Sequence, residues 1–70
     1  MKEPRYKIGQ IFYSRFNETR TITAVRYNKK LGQYFYNYDY VGTDLKHKPT
    51  GQVKHRECGE QALARWLSYQ

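Results

Sequence analysis

Four tyrosines at alternate positions constrain the fold of this chain more than any other feature of its sequence. Residues 33–42 read Gln-Tyr-Phe-Tyr-Asn-Tyr-Asp-Tyr-Val-Gly, with the rings at Tyr34, Tyr36, Tyr38 and Tyr40. Successive side chains of an extended strand point to opposite faces, so the four rings share one face. The spacing therefore predicts a β-strand that is either the middle of a small sheet or an aromatic platform for a partner.

The length and composition of the chain indicate what can cover those rings. A chain of 70 residues forms one domain, residues 1–70, which buries only roughly 60% of its unfolded surface. Its eight Tyr, three Phe and one Trp each bring about 150 to 250 Å² of buriable surface. We expect a core built from aromatic rather than aliphatic side chains.

The charge of the chain indicates the class of its partners. Lys and Arg number 13 and Asp and Glu number 6, which gives a formal charge of +7 and a pI of about 9.7. Such an excess favours polyanions, nucleic acids among them. A net charge of this size also keeps a small domain in solution, so charge alone does not establish nucleic-acid binding.

Cysteine content and apolar runs indicate the compartment. A single cysteine, Cys58, excludes an internal disulfide and favours a reducing environment. No segment approaches the ~20 apolar residues that span a bilayer, and no apolar run follows the first residues. We expect a cytoplasmic protein with no membrane partner.

Strand and turn signals follow one another along most of the chain. Residues 6–16 and residues 20–27 are rich in β-branched and aromatic types, and Gly9 marks a bend in the first of these strands. A polar loop that ends in Gly32 joins the second strand to the tyrosine strand, which predicts a hairpin.

A second turn completes the predicted sheet. Residues 48–51 read Lys-Pro-Thr-Gly, which suits a turn with Pro second and Gly fourth. Short strands are expected on either side of it, at residues 45–47 and 52–56. The prediction is five antiparallel strands within residues 6–56, bent strongly enough to close into a small barrel.

The start of the first strand resembles a known architecture. The run Tyr-Lys-Ile-Gly-Gln-Ile at residues 6–11 is similar to the first strand of small SH3-like barrels of the Tudor and KOW type, which often begin apolar-x-apolar-Gly-polar-apolar. The resemblance covers these residues alone and implies an architecture, not a function. The predicted fold class is mainly β: a small five-stranded antiparallel SH3-like barrel with one short C-terminal α-helix.

The pattern changes to a helical period near the end of the chain. Residues 59–67 contain good helix formers, with Leu63, Trp66 and Leu67 at i, i+3 and i+4. A helix this short is marginal by itself and must dock. We expect its apolar stripe to plug one end of the barrel, with Trp66 as the anchor and Glu60 near the helix start.

The register of the first hairpin decides which residues share the tyrosine face, because a slip of one residue exchanges the two faces. A three-residue loop that closes on Gly32 pairs Lys29 with Gln33. In that register the tyrosine face is shared with Ile22, Ala24 and Arg26. A four-residue loop instead places the rings opposite Tyr27, Val25, Thr23 and Thr21. We favour the three-residue loop, since Gly at its end is a common solution.

Two groups of residues suit nucleic-acid binding. Four cations with no acid among them surround the predicted turn at residues 48–51, and a hairpin tip of this kind suits a phosphate backbone. Bases stack on aromatic rings, and we expect the two tyrosines nearest the basic Asn-Lys-Lys turn to be exposed and the other two to be core. The predicted nucleic-acid-binding residues are Lys29, Lys30, Tyr34, Tyr36, Lys46, Lys48, Lys54 and Arg56. In the simpler interpretation, the cations protect an exposed strand edge and the rings are core.

Catalysis and metal binding are not predicted. The sequence contains no Gly-x-Ser-x-Gly, no His-Glu-x-x-His and no phosphate-binding glycine loop, and so small a core can hardly enclose a substrate pocket. His47, His55 and Cys58 fit no standard zinc spacing. Cys58 is either a half-buried small hydrophobe or a thiol of lowered pKa near the helix start. We expect no enzyme, no metal, no cofactor and no small-molecule substrate.

Two functions are consistent with these residues. The first is a non-catalytic nucleic-acid-binding module, for DNA or RNA, that holds phosphates through Lys and Arg and stacks bases on tyrosines. The second is a protein-interaction module, such as a bacterial or phage adaptor or inhibitor, in which the same Tyr and Arg residues are the hot spots. A steep dependence of affinity on salt would distinguish the first from the second.

Overall fold

Four antiparallel strands and one helix make up the described part of the chain, residues 3–70, in the computed structural model. The elements are β1 (Ile11–Tyr13), β2 (Thr19–Asn28), β3 (Gln33–Thr43), β4 (Pro49–Gly59) and α1 (Glu60–Ser68). The strands pair in the order β1-β2-β3-β4. The prediction of a mainly β fold with one short C-terminal helix is confirmed. No helix within residues 3–70 is long and apolar enough to cross a membrane.

The sheet is open, so the predicted closed five-stranded barrel is wrong. Within residues 3–70, β1 and β4 lie at the two edges of the sheet and do not pair with each other. The first part of the predicted first strand is a bend and a turn instead, in which the Gln10 N–H donates to the Lys7 carbonyl oxygen over 3.1 Å. The remaining strand of three residues is about 10 Å long, too short to curl across and close on β4. The resemblance to SH3-like barrels does not extend to the fold.

The turn between β3 and β4 lies earlier in the chain than predicted. Asp44 Oδ1 accepts the backbone N–H of Lys46 at 2.8 Å and that of Lys48 at 3.0 Å. The Asp44 N–H donates to the Lys48 carbonyl oxygen, so residues 45–47 form the turn and not a strand. An aspartate that satisfies two backbone donors is a strong turn former. The predicted turn over residues 48–51 is wrong for this reason.

The Pro-Thr-Gly segment is instead the first part of β4. Pro49 pairs with Thr43 on an edge strand, which is where a sheet tolerates proline. The ladder is irregular between Val41 and Thr43, and Gly51 on the facing strand has a φ of +81°, a left-handed value that favours glycine. The glycine signal at this position marks an irregular strand pairing rather than a turn.

The hairpin between β2 and β3 has the longer of the two loops considered. Asn28 pairs with Gln33 and Tyr27 with Tyr34, so four residues form the loop. Gly32 closes it at a φ of +64°, the left-handed conformation expected of this glycine. The favoured three-residue register is therefore wrong, and the four-residue alternative is confirmed for this half of the hairpin.

A bulge changes the register in the other half of the hairpin. The ladder skips Thr23, and an extra residue on one strand shifts every later pair by one position. Beyond the bulge Tyr38 pairs with Ile22 and Tyr40 with Arg20. Neither the three-residue loop nor the four-residue loop predicts these two pairs. Because cross-strand partners share a face, Arg20 lies beside the tyrosines.

The tyrosine face of β3 forms the core, and we refer to it as the inner face of the sheet. Tyr36, which is 0% exposed, is fully buried together with Ile22 and Leu63, and Tyr38 and Tyr6 are also buried. The Tyr6 and Tyr36 rings meet edge to face with 5.3 Å between their centroids. The core is largely aromatic, as predicted. The prediction that Tyr36 is exposed is wrong, because α1 and the N-terminal segment cover that part of the strand.

The buried hydroxyl of Tyr36 is hydrogen-bonded on both sides. It donates to Glu60 Oε2 at 3.0 Å and accepts the Tyr6 N–H at 3.3 Å. A buried hydroxyl without partners would cost roughly 1 to 3 kcal/mol. The two bonds join the helix start, the central strand and the N-terminal segment around one ring.

α1 docks on the inner face with Leu63, rather than the predicted Trp66, as its most deeply buried side chain. Leu63 is 0% exposed, whereas Trp66 and Leu67 are half-buried. At the other end of the helix Arg15 Nη2 donates to the Tyr69 carbonyl oxygen at 2.7 Å, where a cation is also favourable to the helix dipole. The helix is thus held at one end by packing and at the other by the loop between β1 and β2.

Replacing Leu63 by Ala should destabilise the fold strongly. Truncating a fully buried leucine costs about 2 to 5 kcal/mol, out of the roughly 5 to 15 kcal/mol that stabilises a typical domain. The same change at Leu45, which is 100% exposed, should alter the free energy of unfolding by less than about 0.5 kcal/mol. Urea unfolding followed by circular dichroism measures both. A Leu63→Ala variant as stable as Leu45→Ala would contradict this packing.

The pKa of Tyr36 predicts a loss of stability at alkaline pH. Burial raises that pKa from its ordinary value of 10.0 to about 12, so the folded state holds the proton more tightly than the unfolded chain. The stabilisation is complete below about pH 10 and is lost as the pH rises to about 12.

The variant Tyr36→Phe lacks the hydroxyl proton at this position, so its stability does not depend on that titration. The other tyrosines titrate in both proteins, so their effects cancel in the comparison. The difference in unfolding free energy between the parent and Tyr36→Phe should therefore narrow by on the order of 2 kcal/mol between about pH 10 and about pH 12. Urea unfolding of both proteins across the range measures the difference, and a difference independent of pH would contradict the assignment.

Candidate nucleic-acid interface

α1 is much shorter than the central strand on which it packs. Its 9 residues extend about 14 Å, whereas the 11 residues of β3 extend roughly 36 Å. The helix packs through Leu63 where Tyr36 is buried. Within residues 3–70, the two depressions around Tyr40 are lined by residues of the sheet and its loops and by none of α1.

Three cations surround Tyr40 in this part of the sheet. Cross-strand pairing puts Arg20 of β2 on one side of Tyr40 and Lys54 of β4 on the other. Arg56 pairs with Tyr38 in the next row, and partners across a sheet share a face. We name the depression that these side chains line the basic groove. Its lining residues are Glu18, Arg20, Tyr38, Tyr40, Lys54 and Arg56.

A second depression continues the basic groove toward the turn between β3 and β4. The two share Glu18, Tyr40 and Lys54, and their volumes are about 380 and 550 Å³. The far end is bounded by His47, whose ring stacks on Phe16 with 5.3 Å between centroids. The loop between β1 and β2 and the β3–β4 hairpin form the walls, with Tyr40 of the central strand in the floor.

Arg20 is held by aromatic rings instead of by a carboxylate. Its Cζ lies 3.9 Å from the ring centroid of Trp66, 4.9 Å from that of Tyr38 and 6.0 Å from that of Tyr40. No carboxylate within residues 3–70 forms an ion pair with it, and its buried Nε has no hydrogen-bond partner. The rings orient a planar guanidinium, a group suited to phosphate, and leave its charge available to an anion.

Tyr40 is oriented by a hydrogen bond to the carboxylate of Glu18. The Tyr40 hydroxyl donates to Glu18 Oε2, and Ser14 Oγ donates to the other carboxylate oxygen at 3.4 Å. The hydrogen bond between Tyr40 and Glu18, with a smaller effect of burial, raises the pKa of Tyr40. The ring lies along the strand against Gly42, where a Cβ would be 3.5 Å from it. The phenol is therefore fixed in position and protonated at neutral pH.

Some of the predicted binding residues lie in or next to the basic groove. Lys54 and Arg56 line it. Lys46 and Lys48 are exposed in the turn at its far end. The cations predicted around the β3–β4 turn are thus on one end of the sheet, although the turn itself is not where the sequence placed it.

The other predicted residues lie apart from the basic groove. Lys29 and Lys30 are exposed in the loop between β2 and β3, separated from the β3–β4 turn by the length of β3, roughly 36 Å. Tyr34 is half-buried and meets Tyr27 edge to face with 4.9 Å between centroids, and Tyr36 is fully buried. The predicted exposure of Tyr36 is therefore wrong, and a buried ring cannot stack on a base, while the predicted binding role of the half-buried Tyr34 stays a prediction.

Sequence reasoning misses Arg20 and assigns Tyr40 to the core. The pairing of these two residues requires both the four-residue loop and the bulge at Thr23, and no local signal marks the bulge. The favoured register instead predicted Arg26 on the tyrosine face. In the structure Arg26 Nη2 lies 2.8 Å from Glu57 Oε2, on the opposite face.

Other reactive groups lie outside the basic groove. His55 Nδ1 is 2.6 Å from Asp39 Oδ1 on the opposite face of the sheet. Cys58 pairs with Tyr36, and burial raises the pKa of its thiol, which fits a half-buried small side chain and not an activated thiol. Within residues 3–70, no three His, Cys, Asp or Glu side chains come together in a way that could hold a metal ion.

Comparison with known proteins assigns the chain to no family: no protein-family model, no curated protein and no solved structure matches it. The function of the basic groove must therefore be argued from its residues. They offer three cations, two phenol rings and one carboxylate that is already hydrogen-bonded, a combination that suits an anionic ligand with a flat ring.

Replacing Glu18 by Gln should lower the pKa of Tyr40. The carboxylate is the main cause of the raised value, because it favours the protonated phenol as a hydrogen-bond acceptor and as a negative charge. Titration of the tyrosine ring signals by NMR measures the change. The pKa of Tyr36, raised mainly by burial, should stay the same and serves as the control. An unchanged Tyr40 titration in Glu18→Gln would contradict the hydrogen bond.

Proposed function

We propose that this chain is a small non-catalytic nucleic-acid-binding module that holds a phosphate backbone in the basic groove. The observation that carries the proposal is the convergence of Arg20, Lys54 and Arg56 around aromatic rings at the basic groove. Lys and Arg are common phosphate contacts, and aromatic rings are the common contacts to unpaired bases.

The charges around the basic groove favour a polyanion. Lys46 and Lys48 extend the positive surface beyond its far end. The nearby acids, Glu18 and Asp44, accept hydrogen bonds from neutral donors and keep their negative charges, but the cations in and beside the groove outnumber them. With a formal charge of +7 on the whole chain, the field attracts nucleic acid, and release of counterions adds to the affinity.

Binding rather than catalysis is the role that the groups in the basic groove support. A general acid or base works best when its pKa lies near the operating pH. The hydroxyl of Tyr40 has its pKa raised, away from neutrality, by Glu18 and by burial. It is therefore suited to holding a ligand in place and not to exchanging protons with it.

A protein-interaction role is the second candidate, and one observation favours it. β4 is an edge strand whose residues 49–57 are all exposed, so an extended peptide can add to it through main-chain hydrogen bonds. Lys54 and Arg56 would favour an acidic peptide. Salt separates the two candidates, because phosphate binding releases many counterions and a strand-to-strand contact releases few.

Reversing the charges of Lys54 and Arg56 should weaken nucleic-acid binding. The double variant Lys54→Glu, Arg56→Glu should bind a labelled oligonucleotide at least tenfold more weakly at low salt, and the salt slope should fall by about two, one for each lost phosphate contact. The matched control is Lys29→Glu, Lys30→Glu, which changes the net charge equally at the other end of the sheet and should have a much smaller effect. Fluorescence anisotropy at several salt concentrations measures both.

Equal weakening by the two double variants would mean that overall charge, and not the basic groove, attracts the nucleic acid. If the parent protein binds neither DNA nor RNA at low salt, the nucleic-acid proposal is wrong and the edge-strand interaction becomes the better account. Circular dichroism of each variant shows whether the fold is retained, which is expected because exposed charges contribute little to stability.

A further inference from the structure

Among the four tyrosines of β3, Tyr40 has a ring that is both fixed in position and open to the basic groove. Tyr36 and Tyr38 are buried, and Tyr34 packs edge to face on Tyr27 at the other end of the strand. Tyr40 is half-buried and lines both halves of the groove. It is therefore the tyrosine that a ligand in the groove would meet.

The surroundings of Tyr40 orient its ring and leave it half-buried. Gly42 lies two residues further along β3, where a Cβ would be 3.5 Å from the Tyr40 ring. Gly42 has no side chain that could pack on the phenol, and the ring lines both halves of the groove. Glu18 holds the hydroxyl, so the ring is oriented before any ligand binds, which reduces the entropy lost on binding.

Cations lie on both sides of this ring. The Cζ atoms of Arg20 and Arg56 are each 6.0 Å from its centroid, and Lys54 pairs with Tyr40 across the sheet. One nucleotide can thus place its base on the ring while its phosphate meets a flanking cation.

We propose that the basic groove selects single-stranded nucleic acid by stacking one unpaired base on Tyr40. In a duplex the faces of the bases are covered by their neighbours in the stack, whereas a single strand can turn a base onto an aromatic ring. Phosphate contacts alone give no preference for a single strand, because a duplex has the denser row of phosphates. The inference rests on the proposed function, to which it adds a role for the ring and a preference for one strand over two.

Three substitutions test the role of the ring, with a labelled mixed-sequence DNA single strand and the duplex formed with its complement as probes. Tyr40→Leu keeps the apolar bulk and removes the ring, so single-strand affinity should fall about 5- to 150-fold, the contribution of one stacked base. Duplex affinity and the salt slope should not change. Tyr40→Phe keeps the ring and loses the bond to Glu18, so it should retain most single-strand affinity. Tyr13→Leu, a tyrosine 63% exposed on the opposite face, should change neither affinity.

The outcomes distinguish this inference from the proposed function. If Tyr40→Leu lowers both affinities by the same factor, or lowers neither, the stacking inference is wrong, while phosphate binding still stands on the Lys54 and Arg56 variant. If the parent binds neither probe, both are wrong. Should Tyr40→Leu fail to fold, the ring proton signals of Tyr40 in the parent decide the question. They should shift upfield with the single strand and not with the duplex, and unchanged signals would count against stacking.

Discussion

The burial of the Tyr36 hydroxyl between two partners is the constraint on which the rest of the structure depends. A core built from phenol rings brings a hydroxyl with each ring, and a buried hydroxyl needs a partner. Tyr36 bonds to the carboxylate of Glu60 and to the backbone of Tyr6, so the start of α1 and the N-terminal segment must both lie at this part of β3. Leu63, in the first turn of the helix, then packs into the same core.

The position of α1 in turn decides where a ligand can bind. Within residues 3–70, the depressions around Tyr40 are lined by residues of the sheet and its loops and by none of α1. The last turn of the helix nevertheless brings Trp66 to within 3.9 Å of the Arg20 guanidinium carbon. One element thus completes the core at one end of the inner face and orients a cation at the edge of the groove at the other.

Local signals predicted the elements better than their partners. The helix predicted over residues 59–67 is observed at Glu60–Ser68, and the tyrosine strand at Gln33–Thr43, because periodic spacing is a property of neighbouring residues. The β3–β4 turn was misplaced because the side chain of Asp44 satisfies two backbone donors, and because an edge strand tolerates the Pro-Thr-Gly segment that was taken for the turn. The sequence predicted the groove residues Lys54 and Arg56, which belong to one cluster of cations along the chain, and missed Arg20, which is far from that cluster in sequence.

The sequence by itself determined that one face of the central strand is aromatic, that the charge is positive and that a short helix ends the described chain, since these follow from residue types and their spacing. Only the tertiary structure decided that the sheet stays open, that Tyr36 is fully buried and Tyr40 only half-buried, and that Arg20 stands beside Tyr40. The physical reason is that pairing register is a long-range property. A loop one residue longer than expected and a bulge at Thr23 place Arg20 on the tyrosine face and Arg26 on the opposite face. The local pattern of residue types predicts neither the loop length nor the bulge.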